Sequence, residues 1–176
     1  MKNRIGFVLW FTGLPCSGKT TLANIVAFEI KKMGFLVERL DGDIIRKSLT
    51  KDLGFSRKDR ETNLERISFV AKLLSRNGVV VLASFISPYK NIREKIRTEV
   101  TNFIEIYVKC SSKKCAKRDI KGMWKLAKEG KIKNFTGWDG EYQIPLNPEI
   151  ILNTEKETVN QSSERVINYL KQRKLI

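Results

Sequence analysis

The sequence predicts an α/β fold in which helices flank a central parallel β-sheet, and three observations carry that prediction. A glycine-containing string, Gly13-Leu14-Pro15-Cys16-Ser17-Gly18-Lys19-Thr20, stands between an apolar run at 7–11 and a helical stretch at 20–33. Further apolar runs, at 35–40, 79–85, 103–108 and 149–153, alternate with stretches of helical periodicity, as strand–helix–strand crossovers in a parallel sheet require. Polar clusters follow the ends of several runs, at the rim where open α/β sheets bind their ligands.

The string matches G-x-x-x-x-G-K-[ST], the phosphate-binding P-loop, and has the right flanks, a strand before it and a helix after it. Gly13 and Gly18 let the backbone curl so that successive N–H groups point inward at phosphate oxygens. The following helix presents the positive end of its dipole to the same anion. Lys19 is placed to bridge terminal phosphates and the Thr20 hydroxyl to ligate Mg²⁺. A nucleoside triphosphate is the expected ligand, and the fold is expected to be that of the P-loop NTPases.

Composition narrows the rest. A chain of 176 residues, 41% hydrophobic, fits one domain, 1–176, with a sizeable core. No apolar run approaches the roughly 20 residues of a membrane span, and residues 1–5 are too short and polar for a signal peptide. Three cysteines without a C-x-x-C pair argue against a disulfide framework and for a reducing cytoplasm. The net charge of +15 predicts an anionic partner or simply a lysine-coated surface. No recognition-helix, RNA-binding or zinc signature accompanies that charge, so no specific nucleic acid and no membrane partner is expected. Histidine is absent, which leaves carboxylate, lysine, tyrosine or cysteine as the catalytic base.

The elements follow in order. The first helix ends at Gly34, a suitable C′ residue. The strand at 35–40 leads into Asp41-Gly42-Asp43-Ile44-Ile45-Arg46, where Asp43 accepts a hydroxyl proton, or orients the water shell of Mg²⁺, or both, unless it only joins Asp41 in turn and capping duty. Ser56 with Asp59 forms a capping-box-like start, and Leu64, Ile67, Val70, Ala71 and Leu74 recur at helical spacing. Arg60 and Asn63 share a face one turn apart, as an anion clamp or as solvated surface. The run at 79–85 reads as a strand buried on both faces. Ser87-Pro88 after it reads as an N-cap and first helical position of a helix to about Val100, although it also sits on the ligand rim. A short helix is expected at 113–118 and a closing helix at 158–171. Between Arg118 and Ile144 the pattern breaks into a long basic, aromatic, glycine-containing segment that reads as a mobile lid. Trp124, Phe135 and Trp138 in it either stack on a base or pack beneath it.

Several phrases together resemble one family, the adenylylsulfate (APS) kinases: TGLPCSGKT from Thr12, DGDIIR from Asp41, LGFSRKDRETN from Leu53, ISPYK from Ile86, RDIKGMWK from Arg118 and FTGWDGEY from Phe135. The resemblance implies transfer of the γ-phosphoryl of MgATP to the 3′-hydroxyl of adenosine 5′-phosphosulfate, forming PAPS and ADP. It implies that Gly13 through Thr21 and Arg118 hold ATP, that Thr20 and Asp43 serve the metal, and that Lys19, Asp43, Ser87 and Lys121 act in catalysis. Asp41, Asp43, Arg46, Phe55, Arg60, Asn63, Ser87, Pro88, Lys121, Phe135 and Thr136 correspond to the acceptor side, with Phe55 and Phe135 resembling a pair that sandwiches its base. Ser87 matches a position treated as a phosphoserine in the family, whereas direct in-line transfer is expected from a serine without a base. A homodimer is the implied assembly. The family usually has asparagine, proline, tyrosine, an aliphatic residue and glutamate where this chain has Ile44, Ile120, Trp124, Trp138 and Gln143. These departures leave a second acceptor in view, the 3′-hydroxyl of cytidine diphosphoramidate in surface-polysaccharide modification, with Trp138 as a bulkier wall for the smaller pyrimidine.

Overall fold

Strand β1 (Val8–Thr12) is buried along its whole length, and its side chains feed two different cores. Leu9 and Phe11, with Phe7 just before them, point to one face, and Val8 and Trp10 to the other. A strand covered on both sides has no place for an alternating polar residue, which is why its sequence is a continuous apolar run. The computed structural model describes residues 5–176, so the leader reading of residues 1–5 falls almost entirely outside the described residues.

Around β1 the chain builds β2 (Val37–Asp41), β3 (Val80–Ser84), β4 (Phe103–Lys109) and β5 (Ile150–Asn153). All pair in parallel, in the order β2-β3-β1-β4-β5. Helix α1 (Lys19–Lys32) and helix α7 (Val159–Gln172) cover one face, with Leu22, Val26 and Ile30 meeting Val166 and Leu170 over Phe7, Leu9 and Phe11. Helix α3 (Arg57–Arg76) and helix α4 (Lys90–Glu99) cover the other, where Leu64, Ile67, Ile92 and Ile96 enclose Trp10 and Phe85. Each such side chain contributes roughly 1.5–3 kcal/mol on burial, largely offset by chain entropy. Three short helices complete the chain: α2 (Gly42–Ile45), α5 (Ser112–Lys117) and α6 (Met123–Lys128). Among the described residues no helix is long and apolar enough to cross a membrane.

Local signals place most boundaries. Ser56 and Asp59 form a full capping box at the start of α3, and Thr158 with Gln161 does the same for α7. Gly34 has φ 80 just past the end of α1, as its C′ position requires. The expected N-cap at Ser87 is corrected: α4 begins three residues later, at Lys90. Ser87 itself adopts φ 48, and its hydroxyl accepts a hydrogen bond from Trp10 Nε1 at 2.9 Å instead of capping the helix. Helices α2 and α6 were not anticipated: the four residues of α2 are too few to show a period, and α6 lies inside the segment read as a lid.

Gly6 lets the chain enter the sheet against the end of α3. A Cβ there would lie 2.1 Å from the Ser75 carbonyl oxygen and 2.7 Å from that of Val79. Gly6→Ala must therefore push backbone against backbone. It is expected to destabilise the fold by about 1–3 kcal/mol, read as a lower urea midpoint with an unchanged m-value; an unchanged midpoint refutes the tight entry.

Candidate active site

The P-loop leaves β1 at its C-terminal end and runs into α1. Gly13 lies so close to β4 that a Cβ would sit 2.5 Å from the Val108 carbonyl oxygen. Cys16 is in the left-handed region at φ 64. The Lys19 ammonium is 9% exposed and donates to the carbonyls of Gly13 (2.9 Å) and Leu14 (2.7 Å). Burial pulls its pKa down to about 8, partly countered by the carboxylates of Asp41 and Asp43. A buried cation with its charge opposed in this way is stabilised by any phosphate that arrives beside it. Ser17 is fully buried and its hydroxyl has no hydrogen-bond partner in the protein.

Strand β2 delivers the next groups. Asp41 is buried at the strand end and accepts from the Thr20 hydroxyl (2.9 Å), the Ser84 hydroxyl (3.0 Å) and the Asp43 N–H (3.0 Å). Burial raises its pKa, but those bonds, with Arg39 nearby, outweigh it and hold the carboxyl below its usual range. Asp41 is thus turned toward the P-loop and fixes Thr20, whose oxygen keeps lone pairs for a cation. Asp43 is exposed and forms an ion pair with Lys121, which is exposed as well. Such a pair is worth about 0–1 kcal/mol, so either partner is easily released to a ligand.

The opposite wall comes from α2, α3 and the loop between them. The Arg46 guanidinium lies 4.4 Å from the centre of the Phe55 ring and donates to the carbonyls of Leu53 and Gly54. Phe55 itself is 63% exposed beside the cavity. Arg60 spends its donors on Phe55 O (2.9 Å), Thr136 Oγ1 (2.7 Å) and Asn134 O (2.8 Å), and so ties this wall to the 118–144 segment. Asn63, one turn on, is 5% exposed and its side-chain oxygen has no partner. Ser87 and Pro88 line the same cavity from the end of β3.

The segment after α5 folds over the P-loop. Arg118 donates to Thr154 O (2.6 Å) and Thr154 Oγ1 (3.1 Å), and Thr154 in turn donates to Ser17 O (2.9 Å). Asp119 caps α6 by accepting from the N–H groups of Met123, Trp124 and Lys125. Neither Asp119 nor Thr154 was anticipated as part of the site; an aspartate four residues ahead of Met123 was the available capping signal for the first, and Thr154 carried none. Trp124 is buried, donates to Pro15 O (3.3 Å) and stands edge-on to Phe135 at 5.1 Å, so it packs beneath the segment. Phe135 and Thr136 line the cavity. Trp138 is 53% exposed, with Lys128 over its ring, and lies off the cavity wall. The expectation that Trp138 narrows an acceptor pocket is therefore corrected.

One continuous cavity of about 1020 Å³ joins these walls. Gly13, Leu14 and Ser17 lie behind its surface, while Pro15, Cys16, Gly18, Lys19, Thr20, Thr21, Asp41, Asp43, Arg118 and Lys121 reach it from the P-loop side. The residues suit a polyphosphate with a hard divalent cation: a buried ammonium, an unpartnered buried Ser17 hydroxyl, and oxygen donors at Thr20 and Asp43. Among the described residues no cluster of three metal-ligating side chains occurs, so phosphate and water oxygens would complete such a cation's shell. Because the Lys19 pKa lies near 8 here and a phosphate restores the charged form, polyphosphate binding above pH 8 must take up a proton. Affinity for tripolyphosphate is expected to fall roughly tenfold per pH unit between about 8 and 10. Calorimetry in buffers of different ionisation enthalpy measures the uptake, and no uptake at pH 9 removes Lys19 from the binding site.

Comparison with known proteins follows this geometry. The family model described as adenylylsulphate kinase matches residues 5–153. The chain is 53% identical to a probable adenylyl-sulfate kinase of Pseudomonas aeruginosa over 92% of its own length and 76% of that protein. It is 48% identical to an adenylyl-sulfate kinase of Halothermothrix orenii over 98% and 94%. Among solved structures it is similar to the Mycobacterium tuberculosis APS kinase CysC in complex with AMPPNP and APS, with a TM-score of 0.91, 37% identity and coverage of 96% and 99%. With the match spanning the P-loop, the aspartates, the wall opposite and the segment over them, the chain belongs to the adenylylsulphate kinase family.

Proposed function

We propose that this protein is an ATP-dependent kinase that transfers the γ-phosphoryl of ATP to the 3′-hydroxyl of adenosine 5′-phosphosulfate, forming PAPS and ADP. The observation that carries the reading is the single cavity with a polyphosphate site at one end and, at the other, Phe55, Arg60, Asn63, Ser87 and Phe135 around an aromatic, hydrogen-bonding recess. Its volume is at the upper end for a small-molecule site, which suits two nucleotides rather than one. The Mycobacterium tuberculosis relative, whose structure holds AMPPNP and APS, supports the same pairing.

Phosphoryl transfer asks the protein mainly to position two anions and stabilise charge on the transferred group. Lys19 and the P-loop N–H groups supply that stabilisation on the ATP side. Thr20, and Asp43 through water, would hold Mg²⁺, which would supply further charge neutralisation. Asp43 accepts the proton of the acceptor hydroxyl, and Lys121 exchanges its ion pair with Asp43 for phosphate oxygens. Arg118 flanks the adenine of ATP, while Arg46, Arg60 and Asn63 hold the acceptor between Phe55 and Phe135. Asn63 offers its unpartnered oxygen to that ligand. Ser87 contributes a hydroxyl to the acceptor side without forming a phosphoserine. Its oxygen already accepts the Trp10 N–H, which makes it a poorer nucleophile. Residues 118–144 act as a lid that excludes water. Three free thiols suit a reducing cytoplasm, and the homodimer that the family likeness implies is tested by light scattering.

The relatives named above are adenylyl-sulfate kinases, and with Trp138 off the wall nothing favours a cytidine diphosphate acceptor. Purified protein with MgATP is expected to release ADP rapidly with APS and slowly with cytidine diphosphate derivatives, the new 3′-phosphate being located by ³¹P NMR; the reverse preference overturns the assignment. Asp43→Asn keeps the shape and removes the charge, so kcat is expected to fall by about 10²–10⁴-fold with little change in acceptor affinity. Arg60→Ala frees Phe55, Asn134 and Thr136 together and is expected to raise the KM for APS while leaving AMPPNP affinity intact; the opposite pattern puts Arg60 on the ATP side.

A further inference from the structure

Arg93 is a fully charged side chain in a place where charge is costly. It projects from α4 into the core and is 3% exposed. Its Nε lies 2.9 Å from Glu105 Oε1, a carboxylate in the middle of β4 that is buried too. Its two remaining nitrogens donate to main-chain carbonyls, Ser87 O on the cavity wall at 2.5 Å and Gln143 O, off that wall, at 2.6 Å. One planar guanidinium thus spans the end of β3, the centre of β4 and the end of the 118–144 segment, a geometry that lysine cannot reproduce.

The groups it holds need holding. Ser87 keeps a left-handed φ of 48 with a side chain attached, a conformation that persists only where the surroundings over-determine it. Trp10, the register partner of Glu105 on the neighbouring strand, fixes the Ser87 hydroxyl, and Arg93 fixes its carbonyl. Gln143 closes the arrangement. Its N–H donates to Pro88 O (2.8 Å), and its side-chain oxygen accepts from Lys90 N (2.7 Å), capping a helix that has no cap of its own. Its amide also donates to Glu141 at 2.9 Å, which a glutamate at position 143 could not do without placing two carboxylates side by side. Tyr142, just before it, shares a hydrogen bond with Thr12 at 3.0 Å.

We propose that Arg93, oriented by Glu105, is a positioning residue for the acceptor nucleotide: it locks the Ser87-Pro88 wall and the base of the segment carrying Phe135 and Thr136 into one register. The proposal rests on the reading of this wall as the acceptor side. The ATP side is held by different bonds, through Lys19, Thr20, Arg118 and Thr154, so loss of the Arg93 bridge acts on one substrate only.

The test compares wild type, Arg93→Lys and Glu105→Gln by KM for APS, KM for ATP, kcat, AMPPNP affinity and melting temperature. Wild-type turnover with APS is measured first, and its absence refutes the acceptor reading itself. Given that turnover, Arg93→Lys is expected to raise the KM for APS at least tenfold with ATP parameters within about twofold, whatever the change in melting temperature. Glu105→Gln keeps a hydrogen-bond acceptor and is expected to show a weaker shift of the same kind; it carries the test if Arg93→Lys does not fold. A lower melting temperature with an unchanged KM for APS, or parallel rises in both KM values, overturns the proposal and leaves Arg93 a structural ion pair.

Discussion

The arrangement depends on β1 being buried from both sides. A strand with core on each face must lie in the middle of the sheet, and its C-terminal end then opens where β3, β2 and β4 end as well. The polar groups that follow those strands, Lys19 and Thr20 after β1, Asp41 at the end of β2, and Ser84 and Ser87 around the end of β3, are brought to one rim by this constraint alone. The apolar side chains of Phe7, Leu9 and Trp10 therefore decide where the chemistry sits, although none of them takes part in it.

At that rim the polar groups are organised by shared partners. Asp41 joins Thr20 to Ser84 and to the Asp43 backbone, which links the ends of β2 and β3 to the start of α1 through one carboxylate. Thr154 joins the P-loop at Ser17 to Arg118 and so to the segment above it. Arg60 joins α3 to the far end of the same segment. Among the described residues four buried polar side-chain atoms have no hydrogen-bond partner, the Ser17 hydroxyl, the Asn63 oxygen, Arg39 Nε and Glu105 Oε1, and of these residues Asn63 lines the cavity.

The segment 118–144 has its own small core, in which Trp124, Phe135, Ala127, Cys110 and Cys115 pack against Leu14 and Cys16 of the P-loop. Its contact with Asp43 is by contrast a single exposed ion pair. The segment is thus attached by packing at the P-loop and only by a weak contact at Asp43, and a region with few buried contacts opens more readily than one with many.

Much of this was legible in the sequence. The P-loop string, the alternation of apolar runs with helical periods, and the Ser56 capping box depend on neighbours within a few residues, and such signals need no fold to be read. Arg60, Asn63, Phe55 and Phe135 were placed on the acceptor side by family likeness and do line one cavity. What the tertiary structure alone decided is how distant groups share partners. The Ser87-Pro88 pair had the look of a helix start, yet Trp10, 77 positions away, claims the serine hydroxyl. Trp138 looked like a pocket wall and stands on the surface, because the turn around Gly137 directs Phe135 inward and Trp138 out. Glu105 did carry a signal, since a carboxylate inside an apolar strand demands a buried cation. That Arg93 and Arg97 both answer it, and that Arg93 also grips two carbonyls 56 residues apart in sequence, follows only from packing α4 against β4 and the returning chain.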